Sequence, residues 1–353
     1  LGDLYAERAR LKFLAEMERN NSDNKASQKD RNLAITYYKK ALRYIRGPEQ
    51  LPVILQIAHL YQSTGKFKSA RSQYYYLLKT AEKYKSRQFV GLGYYGIAEI
   101  DFTSGRYKLA LDGFKKALSR IPNNLKPMAY YRIAWSQLNS GQQTNGTNTL
   151  IKILTTAPLL EKDGKYNQPF HEDVSRDFII FIARKPIYNK QIQKVVELSP
   201  ESLKRENIYN LAVETERTAQ WGSSIRVWGT YLQQKGLSDS RQLEAKVRLA
   251  QAYYFKGQKR SASSTFTDAL QGWKNGNCGD KNQCKVLQGR FKNFIVHWEK
   301  DVRKKTDPIF AALIQEYLKV FDSDAGVYYI AAVQNKKAKN YSQAVNLYLT
   351  AAK

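Results

Sequence analysis

Small, aromatic and glycine positions recur along this chain at fixed offsets. The run Ala58, Tyr61, Gly65, Phe67, Ala70, Tyr74 returns as Ala98, Asp101, Gly105, Tyr107, Ala110, Phe114, and again as Ala250, Tyr253, Gly257, Ala262, Phe266. Each copy predicts two amphipathic helices joined by a tight turn. The small residues let the two helices cross closely, and the glycine supplies the left-handed residue that ends the first of them. Gly141 takes the same place in a fourth copy, while Pro122 and Pro158 fall where a second helix should stop. A unit of this length cannot bury its apolar face alone, so the pattern predicts an all-α stack of helical hairpins, an architecture that usually binds and seldom catalyses.

The spacing resembles the tetratricopeptide repeat (TPR) family, in which small residues at positions 8 and 20 and aromatic residues at positions 11, 17 and 24 define each unit. The resemblance is closest over 51–85, 91–122 and 243–273. It is looser over 127–158, where Ala134 and Gly141 fit but Gln143 and Gly146 replace the usual aromatic and alanine, and over 205–237, with Ala212, Trp221, Ser224 and Trp228. A last unit carries Ala332, Tyr341, Ala344 and Tyr348, with Lys339 in the glycine position. At the start, Ala34, Tyr38 and Ala41 read as a second helix whose partner, 4–18, lies beyond the polar loop 20–30. The position-8 residues fall at 58, 98, 134, 212, 250 and 332, in steps of 40, 36, 78, 38 and 82. The two double steps each imply a degenerate pair, at 171–184 with 190–198 and at 286–304 with 308–321.

The resemblance therefore implies a right-handed superhelical solenoid of about nine helix-turn-helix pairs spanning 1–353. Its expected parts are a divergent pair at 1–50, three units over 51–158, a degenerate pair at 165–200 and two units over 201–275. A cysteine loop at 276–285, a second degenerate pair at 286–322 and a final unit at 323–353 complete it. The sequence stops inside a second helix with no solvating helix after it, so the natural protein is expected to continue or to dock a partner there.

Composition narrows the function. A hydrophobic fraction of 42% excludes general disorder. Lys plus Arg number 58 against 31 Asp plus Glu, and the net charge of +27 favours acidic partners. The densest apolar run, 178–183, falls far short of the roughly 20 residues that span a bilayer. The only cysteines, Cys278 and Cys284, sit in a polar Gly/Asn loop that lets them meet as a disulfide; zinc would need two further ligands, and a C-x-x-C spacing is absent. A disulfide points to an oxidising compartment such as a bacterial periplasm, with an export signal removed before Leu1; free thiols in the cytoplasm are the alternative.

Catalysis finds no constellation. His59, His171 and His297 lie far apart, and none has a cysteine or carboxylate at ligand spacing. Gly91-Leu92-Gly93 opens a repeat helix and is not a nucleotide loop, so neither a cofactor nor a metal is expected. Ligands of the resembled family lie in the concave groove, on inward positions of each first helix. Carried over, those positions hold Leu55, His59 and Gln62; Tyr95, Glu99 and Phe102; Tyr131, Trp135 and Asn139. Beyond the first double step come Tyr209, Val213 and Arg217; Val247, Gln251 and Tyr254; and Tyr329, Val333 and Lys336. The set departs from the family's basic carboxylate clamp and offers aromatics suited to a protein segment, some of which packing should cover.

The positive charge falls mainly on second helices, whose outer side the resemblance makes convex: Lys39, Lys40 and Arg43, Lys68 and Arg71, Lys115 and Lys116. A second cluster is Lys300, Arg303, Lys304 and Lys305. These clusters lack the interleaved aromatics of single-strand binding, which ranks nucleic acid below an acidic polymer or membrane surface. The expected function is a non-enzymatic scaffold for a protein of a bacterial envelope assembly serving motility, secretion or pili. A cytosolic adaptor and a nucleic-acid or anionic-polymer binder are the alternatives.

Overall fold

In the regular repeats consecutive helices pair into hairpins, because the turns between them are too short to do anything else. The computed structural model describes residues 1–18, 25–276, 278–303 and 306–353. Among these lie eighteen α-helices, the number that about nine pairs would need, and one two-stranded ribbon. The chain divides into two units, Leu1–Val174 and Ser175–Lys353.

In the first unit α1 (Gly2–Glu18) precedes α2 (Lys25–Ala41), and α3 (Gln50–Ser63) pairs with α4 (Phe67–Lys83). Next come α5 (Arg87–Thr103) with α6 (Tyr107–Leu118), and α7 (Lys126–Asn139) with α8 (Gln143–Thr155). The strands β1 (Glu161–Lys162) and β2 (Lys165–Tyr166) follow, and α9 (Gln168–Ile182) contains the division between units. The second unit continues with α10 (Asn189–Leu198), α11 (Lys204–Arg217) paired with α12 (Trp221–Leu232), and α13 (Asp239–Phe255) paired with α14 (Lys259–Asn275). It ends with α15 (Lys281–Asp301), α16 (Pro308–Leu318), and the pair α17 (Ala325–Lys337) and α18 (Tyr341–Ala352). No described helix is long and apolar enough to cross a membrane.

The repeated residues occupy the helix crossings. Ala58 and Ala70, Ala98 and Ala110, Ala212 and Ser224, and Ala250 and Ala262 are all fully buried. So are the aromatics Tyr74, Phe114, Trp228 and Phe266, each filling the space between its own hairpin and the next. Each regular turn closes with the same backbone bond, from the residue after the left-handed one back to the carbonyl five residues earlier. Lys66 N–H donates to Tyr61, Arg106 to Asp101 and Gln258 to Tyr253.

Four local features differ from the sequence reading. Residues 25–30, expected in a polar loop over 20–30, are helical, because α2 begins at Lys25. The ribbon β1–β2 was not expected; Asp163 and Gly164 both take positive φ, and an Asp-Gly pair is the turn that such a two-residue hairpin demands. The cysteine loop is shorter than 276–285, because α15 begins at Lys281 and Cys284 lies in its first turn. Finally, α15 lies against α13 and α17, while α16 lies against α14 and α17. Phe266, Phe291, Phe294, Trp298, Phe310 and Tyr317 meet there in one aromatic core.

Candidate functional site

In the first unit the odd-numbered helices α3, α5 and α7 approach one another directly, and the even-numbered helices flank them. The odd helices therefore form the inner wall. Among the residues expected there, His59, Gln62, Tyr95 and Glu99 come together with Ser63, Tyr74 and Gly96 around a concavity of about 340 Å³. Gly96 makes this possible: a Cβ on it would lie 2.2 Å from the Tyr74 ring. The Tyr74 hydroxyl donates to Gln62 Oε1 at 2.6 Å, and the His59 ring stands 6.0 Å from that of Tyr74.

Burial pushes the Tyr74 and Tyr95 phenols well above their ordinary range, so both remain protonated donors. His59 is lowered by the same desolvation and is neutral near pH 7. Its ring nonetheless reaches solvent, as expected for a side chain on a concave wall. Glu99 accepts from Arg132 Nε at 3.1 Å, and that guanidinium covers the Phe102 ring at 4.7 Å. Leu55 packs on the core beneath, Tyr131 meets Phe170 edge-on at 6.0 Å, Trp135 is half-buried and Asn139 is exposed.

The second unit has a concavity of about 420 Å³ on α11, α13 and α15, lined by Tyr209, Arg241, Glu244, Asn282, Val286 and Arg290 among others. Glu244 is its hub. It accepts from the Tyr209 hydroxyl at 2.9 Å and from Arg248 Nε at 3.0 Å, and pairs with Arg290 at 3.1 Å. Arg248 also reaches Glu216 at 2.6 Å, which accepts from Trp228 Nε1 as well. Burial raises the Glu216 carboxyl despite these two donors. Arg241 lies over the Tyr209 ring at 4.7 Å, and Arg290 Nε is buried without an acceptor.

The rim of this concavity is the start of α15. Asp280 accepts from the N–H groups of Asn282 at 2.8 Å and Gln283 at 2.9 Å, capping the helix. Cys278 and Cys284 are joined, their Cα atoms 5.0 Å apart, which ties the preceding loop to that first turn. Of the other expected residues, Arg217 is exposed and paired with Glu214, Gln251 is half-buried, and Tyr329 is 57% exposed beside Tyr348.

Two groove expectations are corrected. Tyr254 is buried, with Trp298 at 4.7 Å and Phe294 at 5.8 Å, and its hydroxyl donates to Asp301. Val247 is buried in the same core. The cause is α15, whose apolar stripe Phe291, Phe294, Ile295, Trp298 covers the face of α13 that a regular unit leaves open. That stripe has helical spacing and is visible in the sequence. The spacing rule also omits Arg132 and Arg248, which stand one residue past an inward position. Glu244 was likewise not among the carried-over positions; it stands three residues before Val247, one turn earlier on α13.

Lys39, Lys40, Arg43, Lys68, Lys115 and Lys116 are exposed on or beside α2, α4 and α6. Arg71 is not free charge: it is half-buried and pairs with Asp101 at 2.5 Å, tying α4 to α5. Lys300 is exposed, Arg303 pairs with Glu299 at 3.2 Å, and Lys304 and Lys305 lie outside the described residues. Among the described residues no three His, Cys, Asp or Glu side chains gather as a metal site.

No protein-family model matches the chain, and no curated protein matches it. Solved structures do. YrrB, described as a TPR protein with an unusual peptide-binding site, is 15% identical, with 67% of this chain and 91% of that one covered and a TM-score of 0.30. The C-terminal part of a TPR protein from Cytophaga hutchinsonii is 12% identical over 72% of this chain and 92% of its own, with a TM-score of 0.34. A TPR protein from Parabacteroides merdae is 10% identical over 82% and 98%, with a TM-score of 0.35. Likenesses this low carry no argument about function, and the architecture rests on this chain's own helices.

Proposed function

We propose that this protein is a non-catalytic interaction scaffold that holds an extended protein segment along its inner walls. One observation carries the reading: in each unit, successive odd-numbered helices bring aromatic rings and unevenly satisfied polar groups around an open concavity. Tyr95 and Tyr209 offer rigid apolar area with a polar tip. Arg290, whose side chain is 34% exposed and whose guanidinium carries more donors than Glu244 uses, suits a backbone carbonyl or carboxylate from a guest chain. The outer basic face is left for an acidic partner surface.

The Cys278–Cys284 pair supports placement in an oxidising envelope compartment, where such a scaffold would serve an assembly of exported proteins. Thiols found reduced in protein recovered from its own cells would favour the cytosolic adaptor instead. For the groove, Arg290→Ala and Glu99→Ala should each weaken a selected peptide ligand about tenfold or more while leaving the helical circular dichroism unchanged. Peptides selected on the intact protein whose affinity neither substitution alters would refute the inner-wall reading.

A further inference from the structure

The even helices of the first unit turn a nearly single-signed face to solvent. Helices α4 and α6 each expose three lysines, and Lys39, Lys40 and Arg43 stand at the end of α2. The exposed acids on these helices are Glu82 and Asp112. Within α6 only Lys116 has a carboxylate partner among the described residues, Asp112 at 2.7 Å. Three even helices of the second unit differ: α12 exposes no charged residue, α18 contains none, and α14 sets Asp268 against Arg260 and Lys274.

The same face carries apolar tips, correcting the expectation that aromatics are absent from it. Tyr44 is 85% exposed, Tyr75 55%, Tyr76 47% and Leu109 58%. On α4 they are interleaved with the cations, since Lys68, Ser72, Tyr75, Tyr76, Lys79 and Lys83 form one outward stripe at helical spacing.

We propose that this outer face docks on an anionic lipid bilayer, lysines against headgroup phosphates and the tyrosine and leucine tips in the interfacial layer. This deepens the reading of an outer basic face and is independent of the groove. Tyrosine suits a membrane–water interface because its ring is apolar and its hydroxyl wet. Lysine stems lie along apolar surface while their ammonium groups stay in water. Single-stranded nucleic acid would need rings lining a furrow, and Arg forks are the usual device for gripping its phosphates. Here the rings stand on helix ridges beside an aliphatic side chain, and the cations are lysines with one exception. No described helix can span a bilayer, so the association is peripheral.

Co-sedimentation of the full chain with extruded vesicles tests this. In about 100 mM salt, where charges beyond roughly 10 Å are screened, the protein should bind phosphatidylcholine vesicles that contain phosphatidylglycerol and ignore phosphatidylcholine alone. The combined variant Lys68→Gln, Lys79→Gln, Lys108→Gln, Lys115→Gln should lose about a hundredfold in affinity or more. A matched variant of the second unit, Lys235→Gln, Lys256→Gln, Lys274→Gln, Lys336→Gln, should change it less than about threefold. Tyr75→Ser with Leu109→Ser should leave binding that higher salt abolishes. Three results would overturn the proposal: no binding to the anionic vesicles, equal losses in the two lysine variants, or capture of a single-stranded oligonucleotide on this face while vesicles are ignored. None of them touches the groove, which the peptide affinities read separately.

Discussion

Six hairpin turns depend on one left-handed residue each. Gly65, Gly105, Gly141 and Gly257 take φ of 71–83°, but Ala219 and Lys339 sit there at 54° and 62°. A Cβ in this region costs about 1–2 kcal/mol, and the turns hold because their backbone bonds form anyway, Gln220 N–H to Thr215 and Asn340 N–H to Asn335. Ala219→Gly and Lys339→Gly should each raise stability by about 0.5–1 kcal/mol in denaturant titrations. Gly96→Ala should lower it by roughly 1–3 kcal/mol, because the new methyl meets the buried Tyr74 ring.

Asp30 gives the first helix pair a pH signature. Hydrogen bonds from Arg8, opposed by burial and helped by Lys12, pull the Asp30 carboxyl down to about 2. A depressed folded value means stability is present above the unfolded value near ~3.9 and is lost as pH falls through 2. Amide protection of α1 should therefore hold from pH 7 to about 4 and decline between 4 and 2. In Asp30→Asn that decline should vanish, protection being lower throughout. At this scale the fully buried small residues and the Tyr74-type aromatics were readable from spacing alone. The arginines of the lining were not, because Arg132 and Arg248 reach the inner wall through long side chains from positions that a Cβ rule assigns elsewhere.

Among elements, the regular hairpins owe their form to a local code, whereas α15 and α16 owe theirs to neighbours. The starts of α16 and α17 are set by aspartates that recruit a lysine from an earlier helix. Asp307 caps Ile309 and pairs with Lys259 at 2.7 Å; Asp324 caps Val327 and pairs with Lys292 at 2.8 Å. Burial would raise both carboxyls, but the lysines and cap bonds outweigh it and hold them low. The capped start of α15 carries the disulfide. Reducing it frees a short loop, which should cost about 2 kcal/mol and speed amide exchange in the first turn of α15. Unchanged exchange would show the cap alone sufficient. Such tertiary determinants explain why the helical content was legible while the burial of Tyr254 was not. Periodicity reports one helix at a time, and the covering stripe belongs to another.

At the scale of the molecule, the net charge of +27 is shared almost equally by the two units but arranged differently in each. The outer face of the first unit is basic with exposed tyrosines, while the second unit keeps Arg241, Arg248 and Arg290 against Glu216 and Glu244 on its inner wall. Two surfaces of different chemistry suit a scaffold that holds one partner inside and rests on another outside. Photo-crosslinking residues placed singly at Gln62 and Val286 on the inner walls, and at Ser72 and Asp112 on the outer face, test the central claim in the native cells. Adducts to one protein partner are expected from both inner positions, and none to that partner from the outer pair. Adducts to that partner from the outer positions alone would contradict it.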